Sequence, residues 1–366
     1  MPKRLIRYAV VGLGHIAQVA VLPAFGNARR NSRLVAIVSG DPAKREEVQK
    51  RYGVEKACSY DEYDALLASG EIDAVYIALP NHLHRDYAER AARAGVHVLC
   101  EKPMAVDEAE CEAMARAARE GGVRLMVAYR LHFERANLEA IETARSGRIG
   151  EPRLFTSTFT MRVVPGNIRV RRETGGGVLY DIGIYCINAA RGLFRDEPVE
   201  VGAAAVGRAD EVEEHVSAWL RFPNHRLATF TCSFGAAKVS EYRIVGTKGD
   251  LALEPAYEYA KPLKHRLTID GEQRERRFAK RDQFAPELLY FSDCILQNRD
   301  PEPSAEEGLA DVRVIRALYQ SIETGRPVAL APYHRGERQS LEQEIRRPPI
   351  EKPSVVRVQA PSGAGG

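Results

Sequence analysis

Three residues of this chain have types and spacings suited to proton transfer. Lys102 lies in Glu101-Lys102-Pro103, directly after the apolar run VHVLC. Asp181 and Tyr185 lie in GGGVLYDIGIY, four residues apart, which on a helix puts them on one face. A lysine held beside a cationic ring can exchange a proton with a substrate hydroxyl. A carboxylate and a phenol one helical turn apart add an acceptor and a second proton carrier. Gly183, between them, reads as space for a flat ring to approach. Each fragment also has an ordinary reading. E-K-P is a common surface turn, and an Asp near a helix N-terminus with a half-buried Tyr is common packing.

A second set of residues suits phosphate binding. Gly12-Leu13-Gly14-His15-Ile16-Ala17 is G-x-G-x-x-A, placed after an apolar strand and before a helix. Gly12 permits a tight turn, Gly14 lets a pyrophosphate approach the backbone, and Ala17 lets the helix pack on the strand. The helix N-terminus then offers unpaired N–H groups to the anion. The next strand ends Val38-Ser39-Gly40-Asp41-Pro42-Ala43-Lys44-Arg45. No carboxylate stands at its tip to accept a ribose 2′-hydroxyl, and Asp41 before a proline reads as a helix N-cap. Ser39, Gly40 and Lys44, with Arg45 near, suit a 2′-phosphate, so NADP is expected over NAD. In an open parallel sheet ligands bind beyond the carboxyl ends of the strands, which places Lys102 where a nicotinamide would lie.

These residues need a particular scaffold. Over the first 128 residues, short apolar runs (RYAVVGLG, LVAIVSG, DAVYIALP, VHVLCEKP, VRLMVAY) alternate with helical segments. Asp41, Asn81 and Asp107 read as N-caps, and Gly53 and Gly95 as C-terminal stops. Continuous apolar strands separated by helices predict a doubly wound parallel sheet, an α/β Rossmann domain over 1–128. From 129 to 330 the grammar becomes α+β. VSAWLRF puts Val216, Ala218, Leu220 and Phe222 on one face. LATFTCSF puts Ala228, Phe230, Cys232 and Phe234 on one face and Thr229, Thr231 and Ser233 on the other. That period of two predicts an open, mostly antiparallel sheet for substrate binding and oligomerisation. Helices are expected near 284–298 and 305–324, the second opened by Ser304 and Glu307.

Composition narrows the class. At about 150 residues per domain, 366 residues suggest two domains. Charge is balanced, 53 Lys and Arg against 50 Asp and Glu, which argues against nucleic acid or a membrane surface as partner. No apolar run reaches the roughly 18 residues of a membrane helix, and MPKRLIRYAVVGLG reads as a buried strand rather than a signal peptide. The six cysteines are dispersed without a C-x-x-C, which fits a reducing cytoplasm and no metal. From Ala331 to Gly366 there are six Lys and Arg and four Glu amid proline-rich sequence. This stretch reads as a disordered tail or as an extended arm across a partner subunit.

The order G-x-G-x-x-A, then E-K-P about 90 residues on, then G-G-G-x-x-x-D-I-G-x-Y resembles the glucose–fructose oxidoreductase/inositol dehydrogenase (Gfo/Idh/MocA) family. VSGDPAK, EKPM, AYRLHF, RVRRETGGG, DIGIY, EEGLADVRVI and TGRPV resemble its glucose–fructose branch, over about residues 5–328. The resemblance implies that Lys102 is the catalytic lysine, with Asp181 and Tyr185 as its partners. It implies that Ser39 and Lys44 contact a 2′-phosphate. It also implies that Leu79, Pro80, Asn81 and His84 line the cofactor with Glu101, and that Arg130 lies near the nicotinamide. The implied activity is an NADP-dependent oxidoreductase acting on a sugar or polyol, as a homodimer or homotetramer. An aldose–aldose oxidoreductase with retained NADP and a non-catalytic dinucleotide/sugar sensor are the alternatives.

Arg162, Arg169, Arg171 and Arg172 precede the Asp181 helix. They suit sugar hydroxyls, an acidic sugar, a phosphate or the cofactor, and equally a solvated loop or subunit contact. Arg169 and Arg130 join Lys102, Asp181 and Tyr185 as candidate substrate contacts. Trp219 alternates with apolar strand residues and suits a sheet or subunit surface.

Overall fold

A computed structural model describes residues 4–207, 212–336, 338–351 and 353–362. The chain forms two compact units. The first holds residues up to Arg130, Arg281–Leu309 and Ile345–Ala360; the second holds Leu131–Lys280, Ala310–Glu344 and the residues from Pro361.

The first unit is built on six parallel strands: β1 (Ile6–Val11), β2 (Ser32–Val38), β3 (Lys56–Cys58), β4 (Ala74–Ile77), β5 (His97–Glu101) and β6 (Leu125–Ala128). Their order is β3-β2-β1-β4-β5-β6, so the winding reverses between β1 and β4. β4 and β6 are buried at every position, as strands covered on both faces must be. The connecting helices are α1 (Leu22–Ala24), which continues a π-helical turn Ala17–Val21, then α2 (Pro42–Tyr52), α3 (Tyr63–Ala68), α4 (His84–Arg93) and α5 (Glu108–Glu120). Asp41 caps α2 by accepting from the Lys44 N–H at 3.1 Å, and Asp107 caps α5 by accepting from Glu110 at 2.8 Å. Asn81 is not the N-cap of α4. It opens a 3₁₀ turn, Asn81–Leu83, and α4 begins at His84.

The second unit opens with α6 (Arg135–Arg145) and contains α7 (Ile184–Phe194). Its sheet has nine strands: β7 (Pro152–Thr160), β8 (Glu200–Gly207), β9 (Glu213–Phe222), β10 (Arg226–Ser233), β11 (Val239–Gly246), β12 (Gly249–Leu253), β13 (Leu263–Ile269), β14 (Glu272–Phe278) and β15 (Val328–Ala329). The order is β14-β13-β12-β11-β7-β10-β9-β8-β15, antiparallel except for the β7–β10 pair. Val216, Ala218, Leu220, Phe222, Ala228, Phe230 and Cys232 are buried, while Ser217, Thr229 and Thr231 are exposed on the other face. Ser233 departs from that alternation: it is buried, and its hydroxyl accepts from Gly235 and Ala236 N–H groups in the following turn. Trp219 lies over Gly202 of β8, where a Cβ would come within 2.4 Å of the ring.

Two later helices, α8 (Ala285–Gln297) and α9 (Ala305–Thr324), were expected to close a second domain spanning 129–330. Instead α8 belongs to the first unit, and the chain passes to the second within α9. The reason is a buried polar seam: the Tyr8 and Ser32 hydroxyls each lie 2.8 Å from the Ser292 hydroxyl, and the Asn31 amide donates to the Leu289 carbonyl. The stretch from 331 is likewise no single tail. Ile345–Ala360 clusters with the first unit; Glu337, Lys352 and 363–366 lie outside the described residues.

Candidate active site

The predicted cofactor residues converge on one edge of the first unit's sheet. Gly12 follows β1, Ser39 and Gly40 follow β2, Leu79 and Pro80 follow β4, Glu101 ends β5, and Arg130 lies two residues past β6. These are the carboxyl ends of parallel strands, and β1 and β4 flank the reversal where such sheets leave a crevice. Gly12 has φ +94°, and a Cβ there would sit 2.5 Å from the Ala78 carbonyl oxygen of the β4 loop. Gly14 has no atom within 4 Å of its Cβ position. The first glycine is therefore demanded by close packing and the second leaves the backbone open, as a pyrophosphate requires. Leu13 and Ala17 belong to the packed side of the turn, whereas His15 and Ile16 are partly exposed.

At the end of β2, Ser39 is buried and its carbonyl accepts from the Arg45 guanidinium at 2.5 Å. Gly40 packs against the Tyr60 ring, 3.3 Å from a Cβ position. Lys44 gives its backbone N–H to Asp41, and among the described residues its ammonium makes no ion pair. A short hydroxyl, a glycine and an available cation fit a 2′-phosphate.

At the end of β5, the Tyr76 hydroxyl donates to Glu101 at 2.8 Å. Burial raises the Glu101 carboxyl above its usual range, with Lys102 and Tyr76 pulling it down. His84 is fully buried and its two ring nitrogens lie 2.8 Å from the Pro103 carbonyl and 2.9 Å from the Leu79 carbonyl. Burial lowers its pKa, while the two carbonyls against its ring nitrogens raise it. It ties the β4 loop to the segment carrying Lys102 from beneath, which makes it a brace. Arg130 is buried and donates to Gln283.

Two residues here escaped sequence reading. Gln18 is 2 % exposed and its amide donates to the Leu13 carbonyl at 2.9 Å, fixing the glycine turn. Glu287 of α8 is fully buried, with neither carboxyl oxygen hydrogen-bonded. Burial and the negative charge of Glu101 raise its pKa well above the usual range. Neither carries a pattern in the sequence, because each lies on an apolar helix face as one polar exception.

In the second unit, Asp181 sits in a π-helical turn, Leu179–Gly183, that leads into α7. From Gly177 to Ala190 every residue is buried except Asp181, Tyr185 and Ala189. That spacing of four is one accessible stripe on a buried helix. The Tyr185 ring is supported edge-on by Phe159, with centroids 5.7 Å apart, and by Tyr257 at 5.9 Å. Gly183 does not clear space for a substrate ring. A Cβ there would meet Leu179 at 3.1 Å and Cys232 at 3.3 Å, so the glycine lets the helix settle on β10.

The arginine loop is drawn onto this stripe. Arg169 Nε donates to Asp181 Oδ2 at 2.9 Å. A Cβ on Gly176 would lie 2.5 Å from the Arg169 carbonyl and 2.6 Å from that of Arg171, so G-G-G is what lets the loop fold this tightly. Arg171 and Arg172 are exposed. At the start of the π turn, Glu213 accepts from the Tyr319 hydroxyl at 2.6 Å. Deeper, Arg191 is fully buried and pairs with Glu197 at 2.6 Å and Asp311 at 2.5 Å, and the Asn188 amide donates to Asp311 at 2.8 Å. This network fixes α7 to α9.

A glycine turn at a strand crossing of a doubly wound sheet, followed by a second unit with a wide, mostly antiparallel sheet, defines a dinucleotide-dependent oxidoreductase class. The chain belongs to the GFO/IDH/MocA family: residues 6–129 match its oxidoreductase domain, an NAD-binding Rossmann fold, and residues 137–252 match its C-terminal domain. It is 34% identical over 336 residues to D-xylose 1-dehydrogenase [NADP(+)] of Haloarcula marismortui, covering 89% of this chain and 93% of that one. The aldose-aldose oxidoreductase from Caulobacter crescentus, solved with glycerol, is 38% identical with a TM-score of 0.85, covering 89% of this chain and all of that one. A 3-ketoreductase from Actinomadura kijaniata, solved with NADP and TDP-benzene, is 30% identical with a TM-score of 0.80, covering 87% of this chain and 98% of that one.

Proposed function

We propose that this oxidoreductase uses NADP to interconvert a hydroxyl and a carbonyl on an aldose, pyranose or related polyol. What carries the reading is the accessible Asp181–Tyr185 stripe on an otherwise buried helix, in a chain whose E-K-P ends a strand of a dinucleotide-binding sheet. Sugar oxidoreductases among its relatives support the substrate class. The nicotinamide, when bound, supplies the hydride acceptor or donor. In the oxidative direction Lys102 and Tyr185 hydrogen-bond the reacting hydroxyl, and one of them removes its proton. Asp181 orients the sugar, and Arg169 holds Asp181 in place while offering donors to neighbouring hydroxyls. Gly12, Gly14, Ser39, Gly40 and Lys44 hold the phosphates; Leu79, Pro80, Asn81 and Glu101 line the nicotinamide side, with His84 and Arg130 as braces.

A panel of aldoses and polyols with added NADP+ tests this reading. Formation of reduced NADP on at least one sugar supports it. Tight cofactor binding without turnover on any member favours the sugar-sensing regulator. The likeness to an aldose–aldose oxidoreductase supports a second reading, in which NADP stays bound between turnovers. Reduction of co-purified cofactor by sugar alone would establish it.

The outer face of the nine-stranded sheet presents Thr156, Thr158, Ser217, Trp219, Thr229 and Thr231 around a shallow depression. We propose this face as the surface that pairs subunits into a dimer or tetramer. The cytoplasm is the proposed compartment, supported by six cysteines that are all free thiols. No described helix is long and apolar enough to cross a membrane.

A further inference from the structure

The stretch after Glu344 is tied to the dinucleotide unit at three places. Arg347 Nε donates to the Asn27 carbonyl at 3.1 Å, and the Asn27 amide donates to the Pro348 carbonyl at 3.0 Å. Farther on, Arg51 of α2 donates to the Ser354 carbonyl at 2.5 Å. Val356 then pairs with Gln18 through both of its backbone groups. Its N–H donates to Gln18 Oε1 at 2.7 Å, and its carbonyl accepts from Gln18 Nε2 at 3.1 Å. The same Nε2 donates to Leu13 in the glycine turn. Gln18 is buried with the arm in place, and the Val356 N–H supplies the hydrogen bond that its amide oxygen accepts. The sequence thus provides a dedicated dock for this arm at the pyrophosphate turn.

The residue after the dock turns toward the ribose end. Arg357 adopts φ +48°, a conformation uncommon for a side chain of its size, and its guanidinium reaches Asp41 at 3.4 Å. Asp41 is the acid nearest in sequence to Ser39, Gly40 and Lys44. An acid in this region normally favours a ribose 2′-hydroxyl and repels a 2′-phosphate. The Lys44 N–H of the α2 cap and the Arg357 guanidinium both donate to Asp41 Oδ1.

We propose that the C-terminal arm is part of the cofactor site: Arg357 offsets Asp41 and supplies a cation to the 2′-phosphate, making the arm a determinant of NADP over NAD. The proposal rests on the NADP reading above and adds residues to it from the far end of the chain. It also gives the arm a seat on its own chain's dinucleotide unit rather than on a partner.

Calorimetric titration of the full-length, cofactor-depleted protein with NADP+ and with NAD+ tests it. Arg357→Ala is expected to raise the NADP+ Kd about tenfold and the NAD+ Kd less than about twofold. Arg357→Glu should lower the NADP+/NAD+ preference further, and Arg357→Lys should keep part of it. Gln18→Leu, which cannot pair with Val356, should speed tryptic cleavage after Arg346 and Arg357 and weaken NADP+ binding. Equal effects on both dinucleotides, or none in Arg357→Ala and Arg357→Glu, would overturn the arm's role while leaving NADP use intact. Failure of the unaltered protein to bind NADP+ would overturn both.

Discussion

The two units present reactive side chains in opposite ways. In the first, Lys102 stands just past a strand whose neighbours are buried on both faces, and the site is the collected ends of β1, β2, β4 and β5. In the second, Asp181 and Tyr185 lie along one stripe of a helical segment pressed onto a sheet with one bare face. The parallel sheet makes its site from loops, so glycines and caps decide its shape. The helical stripe makes its site from side chains, so its shape depends on what fixes the helix. Polar support accordingly differs: the first unit buries a carboxyl, Glu287, whose pKa is raised by burial and by Glu101, and the second buries a compensated ion network around Arg191.

Variants in the two units should separate by kind of damage. Lys102→Ala and Asp181→Ala are each expected to lower kcat by about 10³-fold while NADP+ binding changes little. Near-normal turnover in both, measured at saturating sugar and cofactor, would break the assignment. Asp311→Ala touches no proposed substrate contact, yet it leaves Arg191 with less charge compensation in a dry interior. It should cost about 3–5 kcal/mol of stability in denaturant melts, the penalty for breaking a buried pair. Arg169→Ala should be milder. Freed from its ion pair, Asp181 loses orientation, and kcat/KM should fall about tenfold with the melting temperature nearly unchanged. A fall in stability without a fall in kcat/KM would make the arginine loop merely structural.

The smallest effects have opposite signs in the two units. His132, buried in the second unit and donating to Asn188, is pushed down to about 3, and His265 down to about 4, both chiefly by burial. A histidine kept neutral by the fold loses stability as pH falls below its unfolded value of about 6.5. Glu287 is raised, so its contribution is fully present below an unfolded value of about 4.3 and is lost as pH rises. Melting temperatures of His132→Gln and Glu287→Gln, each relative to the unaltered protein, should therefore diverge in opposite directions. The His132 variant gains as pH drops from 7 toward 4, and the Glu287 variant gains as pH rises over the same range.

Legibility followed the same division. The parallel sheet, the glycine turn, and the Asp41 and Asp107 caps were readable because short-range chemistry fixes them. Asp181 and Tyr185 were readable as a pair from their spacing, and Arg169 as one cation among four. Nothing local told which arginine reaches Asp181; the crowded carbonyls around Gly176 decide that. Gly183 was misread because a glycine on a helix serves either a ligand or a packed neighbour, and Cys232, the neighbour it packs on, lies 49 residues away in β10. The return of α8 to the first unit and the seat of the 345–360 stretch were hidden for the same reason. Both rest on long-range polar contacts, among them Ser292 to Tyr8 and Val356 to Gln18, between residues more than 280 positions apart.

Hydride transfer itself gives the most direct test of the account. A sugar that reduces NADP+ is labelled with deuterium at the carbon to be oxidised, and the product dinucleotide is examined by NMR and mass spectrometry. The account predicts deuterium at C4 of the nicotinamide, transferred by the unaltered protein and lost with Lys102→Ala. No transfer from any aldose or polyol, or undiminished transfer by the Lys102 variant, would contradict it.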